Sequence, residues 1–397
     1  MNKKISLGAA ICFMGIVAAV TFVITMIFST NVFNNRVFRV KERERMYTKF
    51  AEIDRTVTQN FVGEIDEEQL MNAISAGYIS GLGDQYAQYM SPEELSKEKL
   101  NNEGVLVGIG IAATIDDSKN YIQISEVYEN SPASEAGLLP DDLIVKVDGK
   151  DVAEVGYTEA VGMVSGEAGT KVKITYRREG VDKELELTRK RVEIPSVSYR
   201  MIGENGYIKI TDFNAATVKQ FDTAVNSCIE QGAKGLVFDL RNNGGGTLDS
   251  VGQMLDKLLP QGAIAYQRTK DGKKTEIYSS DAKQVDLPMV TLTNGNTASA
   301  SELFVAALKD YDKAKSVGTT TYGKGVMQTR FDLSDGSAVR ITTAYFDPPK
   351  SENFNGVGIK PDFAVSLTAE QEKNFNYLDE TSDPQLKKAL EVVSAAQ

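Results

Sequence analysis

Residues 290–302, VTLTNGNTASASE, begin with the apolar pattern of a buried strand and end in the first turn of a helix. Apolar residues at Leu303, Val305 and Leu308 continue that helix. On both sides of this junction, from residue 192 to residue 367, strand patterns and helical patterns alternate. Such alternation is typical of α/β domains. We therefore predict an α/β core with a mixed sheet at residues 191–378 and a short C-terminal helix at residues 379–397.

A second pattern precedes this core at residues 101–190. Short strands separated by turn signals are predicted at residues 105–112, 121–127 and 142–147, and a hairpin at 171–189. Helices are predicted at residues 131–137 and 157–164. We predict a separate small β domain with two helices.

The N-terminal segment is strongly apolar. Residues 5–29 carry no charge and have the ~20-residue length that crosses a bilayer. A cleaved signal peptide is disfavoured because its apolar region is typically ~7–15 residues and no A-x-A site follows. We predict one transmembrane helix at 5–29 with a cytoplasmic tail at residues 1–4, although the basic residues between Arg36 and Arg45 oppose that orientation.

Residues 47–100 have helical periodicity, and residues 30–100 are predicted to form an all-helical arm. Ser91-Pro92-Glu93-Glu94 is typical of a helix start. The sequence leaves open whether this arm is a spacer or a dimerisation element.

Composition excludes several kinds of site. The chain has no histidine, so a Ser-His-Asp triad, a Cys-His dyad and a histidine metal site are all excluded. Its two cysteines, Cys12 and Cys228, lie far apart and lack metal-site spacing. A net charge of -11 disfavours nucleic acid as a partner. A hydrolase built from this chain must activate its nucleophile with another base, and lysine is the obvious candidate.

Five motifs carry a resemblance to known families, two in the small β domain and the rest in the α/β core. In chain order they are GVLVGIGI at 104–111, SPASEAGL at 131–138 with DDLIVKVDG at 141–149, DLRNNGGG at 239–246, NTASASE at 296–302, and YGKGVMQ at 322–328 with GVGIKPD at 356–362. The first two resemble a bacterial PDZ domain. All of them together resemble the serine C-terminal processing peptidases, also called tail-specific proteases, over about residues 50–395.

This resemblance implies roles for individual residues. Ser299 matches the nucleophile, Lys324 the general base and Gln328 the residue that orients the base. Gly245 and Ala300 match the backbone donors of the oxyanion hole, and Ser301 receives no role. In the PDZ-like domain Gly108, Ile109, Gly110 and Ile111 match the loop and strand that bind a peptide carboxylate.

The residues themselves are compatible with these roles. Ser299 lies at a helix N-terminus, where the next amide, that of Ala300, is able to face a developing oxyanion. A serine that merely caps the helix has the same pattern. Lys324 accepts a proton only when it is neutral, so burial near Val326 and Met327 is expected to lower its pKa.

Two positions depart from the family pattern. Gly244 stands where proline is common, which loosens the loop. Ser165 stands where many members have an arginine associated with coupling of the PDZ domain to the active site, so the resemblance does not imply that coupling for this chain.

Three other interpretations compete with this one. Residues 318–324 match the start of a P-loop, but Gly325 replaces the Ser or Thr that holds magnesium, and a strand follows. Residues 96–99 and 280–283 match S-x-x-K, but K-T-G is absent. The remaining alternative is a membrane-tethered PDZ scaffold whose protease-like domain is inactive.

The resemblance therefore implies a PDZ domain of the inserted type in a serine protease. It implies a single-pass protein of a bacterial cell membrane, with its catalytic part outside the cytoplasm. The substrates are expected to be proteins with free apolar C-termini, and the protein is expected to be a homodimer. No metal or organic cofactor is implied.

Overall fold

The computed structural model describes residues 7–116 and 120–397. The predicted cytoplasmic tail, residues 1–4, lies outside the described residues, as do residues 5 and 6 of the predicted span. Contacts within the chain divide it into two compact units that meet between residues 71 and 72.

The first unit is dominated by one long helix, α1, at Leu7–Asn60. Its segment Phe13–Thr30 has a mean hydropathy of 2.1 over 18 residues, which gives it the length and composition of a membrane span. A signal sequence near an N-terminus has the same properties. A second helix, α2, spans Glu67–Ser80.

The prediction that residues 30–100 are all helical is wrong, because the segment after α2 contains a strand. It forms a strand, β1 (Gln88–Met90), before α3 (Pro92–Glu103) and β2 (Val105–Gly108). Strand β1 pairs antiparallel with a strand at Ala338–Asp347, and Tyr89 and Met90 are buried there. The predicted start of α3 is confirmed, since Ser91 forms a capping box with Glu94.

Next comes the small β domain, with its own apolar core. Its elements are β3 (Ile111–Asp116), β4 (Tyr121–Val127), α4 (Pro132–Glu135), β5 (Leu143–Val147), β6 (Lys150–Asp151), α5 (Val152–Val155), α6 (Tyr157–Val164), β7 (Lys171–Arg178) and β8 (Val181–Thr188). The sheet order is β3-β4-β5-β7-β8, with β6 beside β5.

Two details of this domain differ from the prediction. The strand expected at residues 105–112 is two strands, β2 and β3, because Gly110 between them has a φ of 81°. A Cβ at Gly110 would lie 2.3 Å from Ser131 Cβ, so only glycine fits there. A third, short helix, α5, accompanies the two that were expected.

The remaining residues form the α/β core. Its elements are β9 (Lys190–Glu193), β10 (Val197–Ile202), β11 (Asn205–Ile210), α7 (Ala215–Glu230), β12 (Gly235–Asp239), α8 (Leu248–Leu258), β13 (Gly262–Thr269), β14 (Lys274–Ser280), β15 (Met289–Thr293), α9 (Ala300–Asp310), β16 (Ala314–Gly318), β17 (Val326–Asp332), β18 (Ala338–Asp347), β19 (Phe363–Ala364), α10 (Ala369–Lys373), a 3₁₀ turn (Phe375–Tyr377) and α11 (Pro384–Ala395).

Two sheets organise this core. The first has the order β10-β11-β12-β15-β16-β19 and is parallel except for β10. Every residue of β12 and β15 is buried, because α7 to α9 pack with one large apolar cluster and α11 packs against a second. The second sheet is antiparallel, with the order β1-β18-β13-β14 and β17 on β18. The predicted mixed sheet with helices is confirmed.

The chain enters and leaves the small β domain through one antiparallel pair, β2 with β9. Core elements lie on both sides of that pair in the sequence, with β1 before it and β10 after it. Strands β12, β15 and β16 are parallel neighbours, so the loops that follow them meet at one edge of the sheet.

Candidate active site

The loops at that edge carry Ser299 and Lys324, and Gln328 lies on β17, which follows the second of these loops. Ser299, Lys324 and Gln328 line one cavity of about 680 Å³, together with Gly244 and Gly246. The structure therefore brings the predicted nucleophile, base and orienting residue to a single site.

Ser299 occupies the position before α9 in an unusual backbone conformation. Its φ is 59° and its ψ is -118°, a combination that is strained for a residue with a side chain and that is concentrated at functional sites. Its backbone N–H donates to Glu302 Oε2 over 2.9 Å. Ser301, by contrast, is fully buried and donates its hydroxyl to Asn243 O over 3.0 Å. The two serines of the motif thus have different environments.

Gly245 and Ala300 lie next to Ser299. A Cβ at Gly245, where φ is 107°, would lie 2.9 Å from Ser299 Cβ and 3.0 Å from Ala300 N, so the approach requires glycine. In this conformation the Gly245 N–H donates to Asn243 Oδ1 over 2.8 Å. The Ala300 amide, at the first turn of α9, has no hydrogen-bond acceptor among the described residues. Of the two predicted oxyanion donors, the Ala300 amide is therefore available, whereas the Gly245 amide already has an acceptor.

Lys324 is half-buried, and burial lowers its pKa from the ordinary value of 10.5. The positive charge of Arg340 lowers this pKa further, whereas Asp84 opposes the shift. Lys324 Nζ lies 4.5 Å from the centroid of the Tyr86 ring. Within the described residues no hydrogen bond joins this amine to Ser299 or to Gln328. Burial and the Arg340 charge thus favour the neutral form of Lys324, and its amine contacts the face of the Tyr86 ring.

Gln328 has a different partner from the one expected. Its Nε2 donates to Thr342 Oγ1 over 3.1 Å. Thr342 in turn donates its backbone N–H and its hydroxyl to the Asp84 carboxylate. The orienting role of Gln328 therefore remains a prediction.

Sequence reasoning missed Glu302. This fully buried residue accepts hydrogen bonds through Oε1 from Thr321 Oγ1 and Gly323 N, at 2.5 and 2.7 Å. Through Oε2 it accepts from Ser299 N and Lys324 N, at 2.9 and 2.8 Å. One carboxylate thus joins the backbones of the two predicted catalytic residues. The available signal was a Glu three residues after a Ser at a helix start, which also describes an ordinary capping box.

The second omission is the cavity wall formed by residues 85–88. Tyr86 and Gln88 line the cavity, and Arg340 holds this wall by donating to Gln88 Oε1 over 2.7 Å and to the Glu98 carboxylate. No local pattern in the sequence places these residues beside Lys324.

The four predicted peptide-binding residues lie together in the small β domain. Residues 108–111 line a cavity of about 210 Å³ between β3 and α6. Val161 and Val164 of α6 make its opposite wall apolar, and Ser165 lies at its end. Within residues 7–116 and 120–397, no group of three or more Cys, Asp or Glu side chains is arranged to hold a metal ion.

Comparison with known proteins defines the class. The sequence profile of peptidase family S41 matches residues 204–365, and that of a PDZ domain matches residues 123–178. The chain is thus a serine-type peptidase with a PDZ domain.

Curated relatives define it further. The chain is 33% identical over 331 residues to a carboxy-terminal-processing protease of Bartonella bacilliformis, covering 81% of this chain and 75% of the relative. It is 33% identical over 338 residues to a probable CtpA-like serine protease of Staphylococcus saprophyticus, covering 84% and 68%. A putative S41 protease structure from Bacteroides fragilis shares the fold, with a TM-score of 0.51 and 18% identity over 80% of this chain and 88% of that one. The chain belongs to the carboxy-terminal-processing proteases of peptidase family S41.

Proposed function

We propose that this protease is a membrane-anchored endopeptidase that captures substrate C-termini with its PDZ domain and cleaves with a Ser299–Lys324 dyad. The observation that carries the proposal is that both residues line one cavity. The backbone N–H groups of both donate hydrogen bonds to the same oxygen of Glu302. A buried carboxylate with four donors fixes the two loops relative to each other.

The chemistry proceeds by acyl transfer. Neutral Lys324 Nζ accepts the Ser299 hydroxyl proton while Oγ attacks the scissile carbonyl. The amides of Ala300 and Gly245 stabilise the oxyanion, and the protonated lysine then gives its proton to the departing amine. Water, deprotonated by Lys324, hydrolyses the acyl-enzyme and restores Ser299.

Three contacts of the present conformation must change for that reaction. Lys324 Nζ must leave the Tyr86 ring for Ser299 Oγ, and Gly245 N–H must exchange Asn243 Oδ1 for the oxyanion. Gln328 must also turn from Thr342 to act on Lys324. The proposed reaction therefore begins with a local rearrangement of these three groups.

The PDZ domain is proposed to be an insertion in the protease, because β1 and β10 flank it in sequence and both join core sheets. Its glycine-containing loop at 108–111 binds the terminal carboxylate through backbone N–H groups, and the edge of β3 pairs with the tail. Because only an extended segment pairs in this way, the substrates are unfolded at their apolar C-termini.

The apolar segment Phe13–Thr30 is proposed to be an uncleaved anchor in a bacterial cell membrane, with the catalytic part outside the cytoplasm. Ile74, Tyr78 and Leu82 expose apolar surface on or just after α2. This surface supports the proposed homodimer, because such patches mark contact sites.

The test is cleavage of an unstructured protein with an apolar C-terminal tail by the full chain in detergent. Ser299→Ala and Lys324→Ala are expected to abolish cleavage, whereas Ser301→Ala retains it and serves as the matched control. Circular dichroism establishes that each variant is folded. Undiminished cleavage by Ser299→Ala would contradict the dyad.

The scaffold alternative predicts a different result from the same experiment. The wild type would bind the tail but not cleave it under any condition tested. Intact Ser299 and Lys324 on one cavity favour the enzyme.

A further inference from the structure

Strand β3 ends the sheet of the PDZ domain. It pairs with β4 on one side, and its other edge faces the cavity beside α6. The irregularity between β3 and β4 lies in β4, where Ser125 is the extra residue, so β3 keeps its regular alternation. The carbonyls of Ile111 and Ala113 therefore face the same edge.

One of these edge carbonyls already has a partner. The hydroxyl of Tyr157, the first residue of α6, donates to Ala113 O over 3.0 Å. Tyr157 and Ala113 both line the cavity, and the Tyr157 ring packs against the apolar core of the domain. The phenol thus reaches across the groove and occupies the acceptor that an added strand needs.

The geometry of strand addition locates the conflict. A tail whose carboxylate lies at residues 108–111 runs antiparallel along β3. Since alternate residues of a strand bond to the same side, the residue two positions before the terminus lies opposite Ala113. The N–H of that residue and the Tyr157 hydroxyl both approach Ala113 O from the open edge of β3, so the hydroxyl stands where the tail must pair.

We propose that Tyr157 is a gate of the PDZ groove, whose hydroxyl must leave Ala113 O before a tail of three or more residues pairs with β3. This inference rests on the proposed capture of substrate C-termini by this domain. A tail that binds only through its terminal residue, at the glycine loop, leaves the Tyr157 hydroxyl on Ala113 O.

The gate has a measurable consequence. Removing the hydroxyl while keeping the ring frees Ala113 O without opening a void in the groove. Tyr157→Phe is therefore expected to tighten tail binding by about two- to tenfold, the range that one neutral hydrogen bond accounts for. Tail N–H donation to Ala113 O is the source of this gain, so a tail without that N–H does not benefit.

The experiment uses the full chain in detergent with Ser299→Ala as the background, so that the probe is not cleaved. The probe is a fluorescent peptide of about ten residues with an apolar C-terminus, long enough to pair along β3, and its affinity is measured by anisotropy. A second probe carries an N-methyl group on the amide two residues before the terminus. Tyr121→Phe, on β4 and outside the cavity, is the matched control, and thermal unfolding establishes that each variant is folded.

Tighter binding of the unmodified probe by Tyr157→Phe, with no gain for the N-methyl probe and none for Tyr121→Phe, supports the gate. Equal binding by wild type and Tyr157→Phe overturns the gate but leaves tail capture intact. A gain that persists with the N-methyl probe also overturns it, because Ala113 O is then not the contested group. If neither protein binds the free-acid probe, the proposed tail capture fails, and the gate fails with it.

Discussion

Glu302 Oε2 lies 2.8 Å from the backbone nitrogen of Lys324, in the loop after β16. The same oxygen accepts the N–H of Ser299, which holds a positive φ. Hydrogen bonds to a carboxylate are among the stronger ones in proteins, and this one is shielded from water. Glu302 therefore fixes the distance between the loops that supply nucleophile and base, although it touches neither reacting side-chain atom.

Glu302→Gln is expected to lower kcat by at least about tenfold, because a 1 Å displacement of catalytic groups is that costly. The amide nitrogen of glutamine cannot accept a hydrogen bond, so two of the four donors lose their acceptor. The free energy of unfolding is expected to fall by about 1–3 kcal/mol. Peptide-cleavage kinetics and thermal unfolding measure both effects, with exposed Glu352→Gln as the control. Activity within twofold of wild type would remove the positioning role.

Lys324→Arg is expected to reduce cleavage by at least about 100-fold, since a guanidinium stays protonated and cannot act as a base. In the wild type, activity is expected to rise with pH as Lys324 loses its proton. Burial and the Arg340 charge lower the pKa of Lys324, so this rise should occur below 10.5, the ordinary value. The pH profile of kcat/KM measures its position. A rise centred at or above 10.5, or an active arginine variant, would contradict Lys324 as the base.

Local patterns sufficed for much of the fold. Strand β4 and α6 have the bounds that periodicity and turn signals predicted. Each of them has its signal within its own residues, as apolar positions at strand or helix spacing. The convergence of Ser299 and Lys324 followed from the motif resemblance, and the parallel order of β15 and β16 gives it a physical basis.

Contacts between distant segments were not predictable. Strand β1 has three residues, and its pairing with Arg340 and its neighbours joins positions about 250 residues apart, so no local pattern announces it. Tyr86 reaches Lys324 only because β1 pairs there. The four donors of Glu302 come from two loops, and the Tyr157 hydroxyl finds Ala113 O across a groove. Each depends on tertiary structure.

Tyr86→Ala is expected to shift the rise of the pH profile to higher pH and so to lower activity near neutral pH. Burial is the largest cause of the lowered pKa of Lys324, and removal of the ring admits water to its amine. The ring face itself favours the charged amine, so Tyr86→Leu, which keeps the cover but lacks that face, is expected to shift the profile less or in the opposite direction. Tyr86→Phe is the control and should keep the wild-type profile. An unchanged profile in Tyr86→Ala would show that the ring does not shield the base.

Ser301→Ala separates the two serines of the motif. Its hydroxyl donates to Asn243 O, which also accepts the Ala298 N–H, so that carbonyl retains a partner in the variant. The free energy of unfolding is expected to fall by about 1 kcal/mol, the usual net value of one hydrogen bond, with kcat nearly unchanged. Denaturant unfolding measures the free energy, and cleavage rates measure kcat. Ser299→Ala should show the reverse, a loss of kcat with little change in stability. Loss of activity with unchanged stability in Ser301→Ala would reassign the nucleophile.

Arg241→Met tests the buried charge network that joins the loop after β12 to α11. Arg241 donates to Asp239 through Nε and to Asp383 through Nη1, at 2.9 and 2.7 Å, and all three side chains are buried. Methionine leaves two buried carboxylates without their cation, a change that typically costs about 3–5 kcal/mol.

The effect of Arg241→Met on stability should also depend on pH. Burial raises the pKa of Asp239, but the Arg241 charge and hydrogen bonds from Arg241 and Tyr207 outweigh burial and lower that pKa in the wild type. In the wild type, the stability that ionised Asp239 contributes is therefore complete above about pH 3.9, the ordinary pKa of aspartate, and is lost as the pH falls. In the variant burial acts without the cation and raises the pKa of Asp239, so the cost of the buried carboxylate is relieved as the pH falls. The stability difference between variant and wild type should therefore narrow towards acidic pH, which urea unfolding across the acidic range measures. Exposed Arg330→Met is the control, and equal stability of both variants at every pH would exclude a structural role for the network.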